Sequence, residues 1–146
     1  MIRRATHHDV AAIGELFLRA RDAMTYLPPV SDDVRPRLGG LICERAEVWV
    51  AEDEDRVIGF AGLSGDELTH LYTDPAAQSR GIGGALLDHA KTLRPERLEL
   101  WVFQQNDGAR RLYERHGFRL VKLTDGSGNM EHEPDALYEW RPDASG

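Results

Sequence analysis

The sequence predicts an α+β or mixed α/β domain built on one sheet, and three observations carry that prediction. Apolar residues switch between a period of two and a period of three to four along the chain. Clusters of Gly, Pro and Asp mark the joints as turns, with no repeat or low-complexity tract between them. The stretch QSRGIGGALL, Gln78 to Leu87, joins a strand-like segment to a helical one through three glycines.

Ile2 to Ala5 reads as a short first strand. Thr6 with Asp9 resembles a capping box, Asp standing where Glu or Gln is usual, and opens a helix with Val10, Ile13, Leu16, Phe17 and Ala20 on one face. A second helix is expected over Asp32 to Glu44, interrupted by Pro36 and by Gly39-Gly40. Val48 to Ala51 and Val57 to Leu63 read as strands, and the acidic run Glu52 to Asp55 between them suits a hairpin turn. Glu67 to Thr73 extends this meander until Asp74-Pro75 ends it. After the glycines, Ile82, Leu86, Ala90 and Leu93 share a helical face, and Pro95 closes that helix. Leu98 to Phe103 is a strand. Asn106, Ala109, Leu112, Tyr113 and His116 recur at spacings of three and four before Gly117, a C′ cap, so a short amphipathic helix is expected there. Phe118 to Leu123 and Ala136 to Arg141 are the last strands, giving the order β-α-α-β-β-β-α-β-α-β-β. Trp49, Trp101 and Trp140 read as core or sheet-face packing.

The 146 residues fit one domain, 1–146, with one core. Hydrophobic residues at 41% and charged residues at 29% are ordinary for a globular protein, and no apolar run is long enough for a membrane span. The start lacks the apolar core of a secretory signal, so a cytoplasmic location is expected. A net charge of −7 without a Lys/Arg stripe argues against nucleic acid and mildly favours cationic partners. The single cysteine, Cys43, reads as a buried structural residue, and the six histidines lack metal-ligand spacing, so no metal is implied.

Glycine at a helix start gives up backbone entropy and buries nothing, which suggests that something needs the backbone itself. A strand, a glycine loop and a helix N-terminus aim N–H groups into one concavity with partial positive charge, which suits a phosphate or pyrophosphate. A Walker loop needs Gly-Lys-Ser/Thr, whereas Gly83 is followed by Gly84 and Ala85. A dinucleotide fingerprint needs a third glycine where Leu86 stands. What remains is Gln-x-x-Gly-x-Gly, whose glycines also suit tight packing of the helix.

One strand later comes N-x-x-A-x-x-L-Y-E-x-x-G-F, Asn106 to Phe118. Together the two motifs resemble the GNAT superfamily of N-acetyltransferases, and the opening IRRATHHD is similar to that family's first strand and helix cap. The resemblance covers essentially the whole chain. It implies a single mixed, mostly antiparallel sheet flanked by about four helices, acetyl-coenzyme A as co-substrate, and a small-molecule or peptide amine as acceptor, with a homodimer frequent among such proteins. It carries Gln78, Ser79, Arg80, Gly81, Ile82, Gly83 and Gly84 over as pyrophosphate binders. Leu71, Tyr72 and Thr73 would hold the pantetheine arm as an added strand, and Asn106 would contact the cofactor.

By the same resemblance Tyr113 protonates the departing thiolate, the alternative being packing on its helix. Glu67, His70 or a water relay would take the amine's proton. Relatives that modify protein N-termini carry a glutamate five residues before the asparagine, where this chain has Trp101. The segment Met24 to Leu27 and the last hairpin, with Glu131, Glu133 and Asp135, would wall the acceptor side. A sensor that binds acyl-coenzyme A without turnover is the competing reading, and a nucleotide-binding domain a third.

Overall fold

The computed structural model describes residues 1–142, with the side chains of Gln78 and Ser79 outside the described set. β1 (Ile2–Arg4) leads through a short helical turn into α1 (Val10–Ala23). The expected capping box is formed: His8 N–H donates to Thr6 Oγ1 at 3.3 Å, and Thr6 N–H to Asp9 Oδ2 at 2.7 Å. Asp9 also accepts both Nη groups of Arg3, at 2.8 and 2.9 Å. That guanidinium holds the Asp9 carboxyl at about 2 and ties the first strand to the helix start.

The second helix starts later than the sequence suggests. Pro36 lies in a turn at Arg35–Arg37, and α2 (Leu38–Arg45) then runs through both glycines. Gly39 does not interrupt the helix, because its role is close approach. A Cβ there would lie 2.1 Å from Val10 O, and one on Gly14 would lie 3.1 Å from Gly39 N. The two helices cross at this glycine pair, and Ile13, Leu16 and Ile42 pack on Val48, Val50 and Phe60 beneath. Cys43 is half-buried against the same cluster, less enclosed than expected.

β2 (Glu47–Asp53) and β3 (Arg56–Ser64) form a hairpin turned by Glu54 and Asp55, both at positive φ (50° and 63°), the two-residue turn that matches strand twist. The remaining elements are β4 (Glu67–Thr73), α3 (Ile82–Leu93), β5 (Leu98–Phe103), α4 (Asp107–Arg115), β6 (Arg119–Leu123) and β7 (Asp135–Trp140). The expected element order and mostly antiparallel sheet are observed, with strands in the order β1-β2-β3-β4-β5-β7-β6.

Two departures from a regular sheet shape its centre. β4 and β5 are the parallel pair, and their ladder is one residue pair, Glu67 with Glu99. β4 also carries a bulge: Gly62 pairs with His70 and Leu63 with Leu68, which leaves Thr69 as the extra residue. On one face of the sheet, Leu86, Leu87 and Ala90 of α3 pack on Leu98, Leu100 and Tyr138. Strand alternation turns Trp101 and Phe103 to the other face, beside α1. Trp101 is 41% exposed there, while Trp140 packs against the core and Trp49 is half-buried.

Candidate active site

Beyond their single pair β4 and β5 part, and a cleft of about 670 Å3 lies between them. β4 lines it from Leu68 to Thr73, β5 from Trp101 to Phe103, and α4 through Ala109, Leu112 and Tyr113. The end of α1 and the start of α3 close its sides.

The glycine loop stands at the rim. Gly81 sits at φ 76°, in the left-handed region, and a Cβ on it would meet nothing within 4 Å. The first ladder bond of α3 is donated by Ala85 to Gly81 O at 3.0 Å. The N–H groups of the first turn therefore emerge at the helix end, the arrangement that receives anions. Gly83 and Gly84 line the cleft as well, and they also let α4 approach. A Cβ on Gly83 would lie 3.1 Å from Leu112, and one on Gly84 2.9 Å from the His116 ring. Ile82 turns inward, where a Cβ on Gly59 of β3 would lie 3.0 Å from it. Arg80 is exposed and pairs with Asp53 at 2.5 Å. Nothing is described for the side chains of Gln78 and Ser79.

Asp74, read in the sequence only as a strand end, is a hub beneath this loop. It is 5% exposed, accepts Ala76 N–H at 3.0 Å, and pairs with Arg19 of α1 and Arg56 of β3, both at 3.2 Å. The loop thereby starts from a fixed point, and Arg19 is brought to the cleft wall.

Tyr113 lines the cleft, 7% exposed, with its ring 5.9 Å from Phe118 and 6.3 Å from Tyr138. Tyr138 is in turn held by Arg110 Nε at 3.0 Å and donates to Glu114 Oε2 at 2.7 Å. Burial raises the Tyr113 phenol above its ordinary 10.0, so it is a protonated donor at neutral pH but a weaker acid than a free tyrosine. Tyr72 packs on Phe17 and Phe60, and burial pushes its phenol up to about 12. Asn106 lines the cleft and caps α4, its Oδ1 accepting Ala109 N–H at 3.3 Å.

His70 sits at the bulge, its Nδ1 2.8 Å from Thr69 Oγ1 and its ring among Phe17, Phe60 and Tyr72. Burial pushes it from 6.5 down to about 4, so it is neutral at pH 7. Unfolded chain takes up this proton near 6.5 while folded chain does not, so stability present above that pH is lost as pH falls toward 4. About 3 kcal/mol is expected from this group. Denaturant unfolding at neutral pH and near pH 4 will therefore show a smaller acid loss for His70→Gln than for the parent. Glu67 stands at the closed end of the split, outside the cleft-lining residues. Burial and the facing Glu99 raise its carboxyl.

The family model for the acetyltransferase (GNAT) domain matches residues 44–120. The chain belongs to the GNAT acetyltransferases. It is 33% identical over 124 residues to the peptidyl-lysine N-acetyltransferase YjaB of Salmonella typhimurium, covering 82% of this chain and 83% of that one. It is 36% identical over 112 residues to the mycothiol acetyltransferase of Kytococcus sedentarius, covering 77% of this chain but 36% of that one. The apo solution structure of YjaB from Escherichia coli superposes with a TM-score of 0.76 at 29% identity, covering 96% of both chains. The fold is shared with YncA of Salmonella typhimurium, solved with acetyl-CoA, at a TM-score of 0.72 and 23% identity.

On this GNAT scaffold the region around the last hairpin is less uniform than the sequence suggests. A second cavity of about 620 Å3 adjoins the cleft and shares Trp101, Val102 and Phe103 with it. The three acidic residues of the last hairpin separate. Glu131 faces Arg21 at 3.9 Å, Glu133 accepts from Gln105 at 2.7 Å, and Asp135 is buried, accepting from Thr124 and Asn129. Tyr26 lines the cleft, its ring 6.1 Å from Phe103. Missed from the sequence were Arg19 and the bulge at Thr69, which depend on contacts between distant elements.

Proposed function

We propose that this chain is an acetyl-CoA-dependent N-acetyltransferase that moves the acetyl group to a primary amine of a peptide lysine or small molecule by direct attack. The observation that carries the reading is Gly81, left-handed and open, at the mouth of a cleft that ends on Tyr113. Its bare backbone and the first turn of α3 fit a pyrophosphate, and the edge of β4 over Leu71, Tyr72 and Thr73, paired with β3 but not with β5, fits an extended amide-bearing arm. Gln78, Ser79, Arg80, Ile82, Gly83, Gly84 and Asn106 complete the proposed cofactor site, with Arg80 exchanging Asp53 for phosphate.

Acetyl-CoA supplies an activated acyl carbon, and the residues do the rest. The amine must first be neutral, because its ordinary pKa is roughly 10.4. Neutral His70, with a conjugate acid at about 4, accepts that proton only in transit and hands it to water. Glu67 is reached through water rather than directly. Backbone N–H groups near Tyr72 and Thr73 stabilise the developing oxyanion. As the C–N bond forms and the C–S bond breaks, Tyr113 donates its proton to the thiolate. Against a thiol of roughly 8.5, even an ordinary tyrosine donates uphill by about 2 kcal/mol. The burial that raises Tyr113 further raises a thiol in the same cleft, which keeps the transfer within reach.

A peptide-lysine acceptor is supported by two relatives named for it and matched over 83% and 82% of their length, while the "Putative phosphinothricin acetyltransferase YwnH" of Bacillus subtilis, 26% identical over 90% of its length, keeps a small-molecule amine in view. Trp101, standing where a glutamate marks N-terminal acetyltransferases, fits that choice. Release of thiol from acetyl-CoA, with and without a lysine peptide, tests the reading.

A further inference from the structure

The chain has 16 arginines and two lysines, Lys91 and Lys122. The two lysines are held differently. Lys91 is 19% exposed, donates to His116 O at 2.5 Å, and lies 5.2 Å from the Trp140 ring. Lys122 is exposed on the edge strand β6, paired on one side only, with β7. Leu137 pairs with Trp101 on one side and with Lys122 on the other, so the three form a row across β5, β7 and β6. The Lys122 amine lies 5.6 Å from the Trp101 ring centre. Lys122 lines the second cavity, and Trp101 lines both that cavity and the cleft. One indole therefore separates the only exposed lysine amine among the described residues from the proposed site of transfer. The contact with the ring is a cation–π contact at the surface, weak enough to release the side chain.

Resting on the acetyl-CoA-dependent transfer proposed above, we propose that Lys122 is a self-acetylation site, modified in its own chain. The neutral Lys122 amine attacks the thioester carbonyl, the C–N bond forms and the C–S bond breaks. The thiolate leaves with the Tyr113 proton, and the ammonium proton goes to water, which returns one to the Tyr113 phenolate. The product is an uncharged acetyl-lysine.

The purified chain is incubated with acetyl-CoA at two protein concentrations and followed by intact mass and peptide mapping, with a lysine peptide added in a parallel sample. The expected result is one acetyl group on Lys122, also present in Lys91→Arg and absent from Lys122→Arg. Its rate per chain is the same at both concentrations and falls about tenfold or more with excess coenzyme A, which competes for the cleft, or in Gly81→Val. Equal labelling of Lys91, the N-terminus and Lys122, or no effect of coenzyme A, means solution acetylation and overturns the proposal. A rate proportional to protein concentration overturns modification within the chain. Acetylation of the peptide while Lys122 stays bare overturns the proposal and leaves the transferase reading standing. No transfer to either overturns both.

Discussion

Gly81→Val is expected to weaken acetyl-CoA binding about a hundredfold or more while the chain still folds. At φ 76° a β-branched residue is strained by a few kcal/mol, and its side chain enters space that is open in the structure and proposed for phosphate. Strain and obstruction are separated by Gly81→Asn, because asparagine tolerates the left-handed region but still carries a side chain. That variant should melt near the parent and yet bind weakly by calorimetric titration. Parent-like affinity in Gly81→Asn would remove the loop backbone from the cofactor site. The neighbouring glycines answer differently. Valine at position 83 must displace Leu112, and even alanine at 84 meets the His116 ring at 2.9 Å. Those substitutions loosen the α3–α4 contact, so their losses of binding and stability arrive together.

Tyr113→Phe is expected to lower turnover about a hundredfold with acetyl-CoA affinity near the parent's. Phenylalanine keeps the ring contacts with Phe118 and Tyr138, so the fold changes little. Only the proton donor at the end of the cleft is lost. Steady-state rates and titrations on the same samples give both numbers, and parent-like turnover removes Tyr113 from the reaction. A partial loss means that water also protonates the thiolate, as expected when the donor's acidity has been weakened by burial.

Local chemistry explains what was legible in the chain. β4 and β5 begin and end where their apolar patterns meet Asp74-Pro75 and Pro95, and α4 lies between the Asn106 cap and Gly117, at φ 87°. Turn and cap residues act within a few positions, so they can be read in order. The features that make the cleft act across the fold. The parting of β4 from β5 depends on which strand pairs with which, and the bulge at Thr69 on the register with β3. Gly39 resembled a helix breaker because only the crossing with α1 at Val10 reveals what it is for. Likewise Glu131, Glu133 and Asp135 formed one acidic run until Arg21, Gln105, Thr124 and Asn129 divided them among separate partners. The glycine loop fell between these cases: a bare backbone leading into a helix start was readable, whereas the packing duty of Gly83 and Gly84 was not.

The most direct measurement mixes the chain with acetyl-CoA and a blocked peptide bearing one lysine, then counts free thiol and acetyl-lysine together. The account predicts equal amounts of both, rising with peptide concentration and lost in Tyr113→Phe to about one part in a hundred. Tight binding of acetyl-CoA with no thiol released to this peptide, to polyamines or to amino acids would contradict it and make the chain a sensor of the thioester.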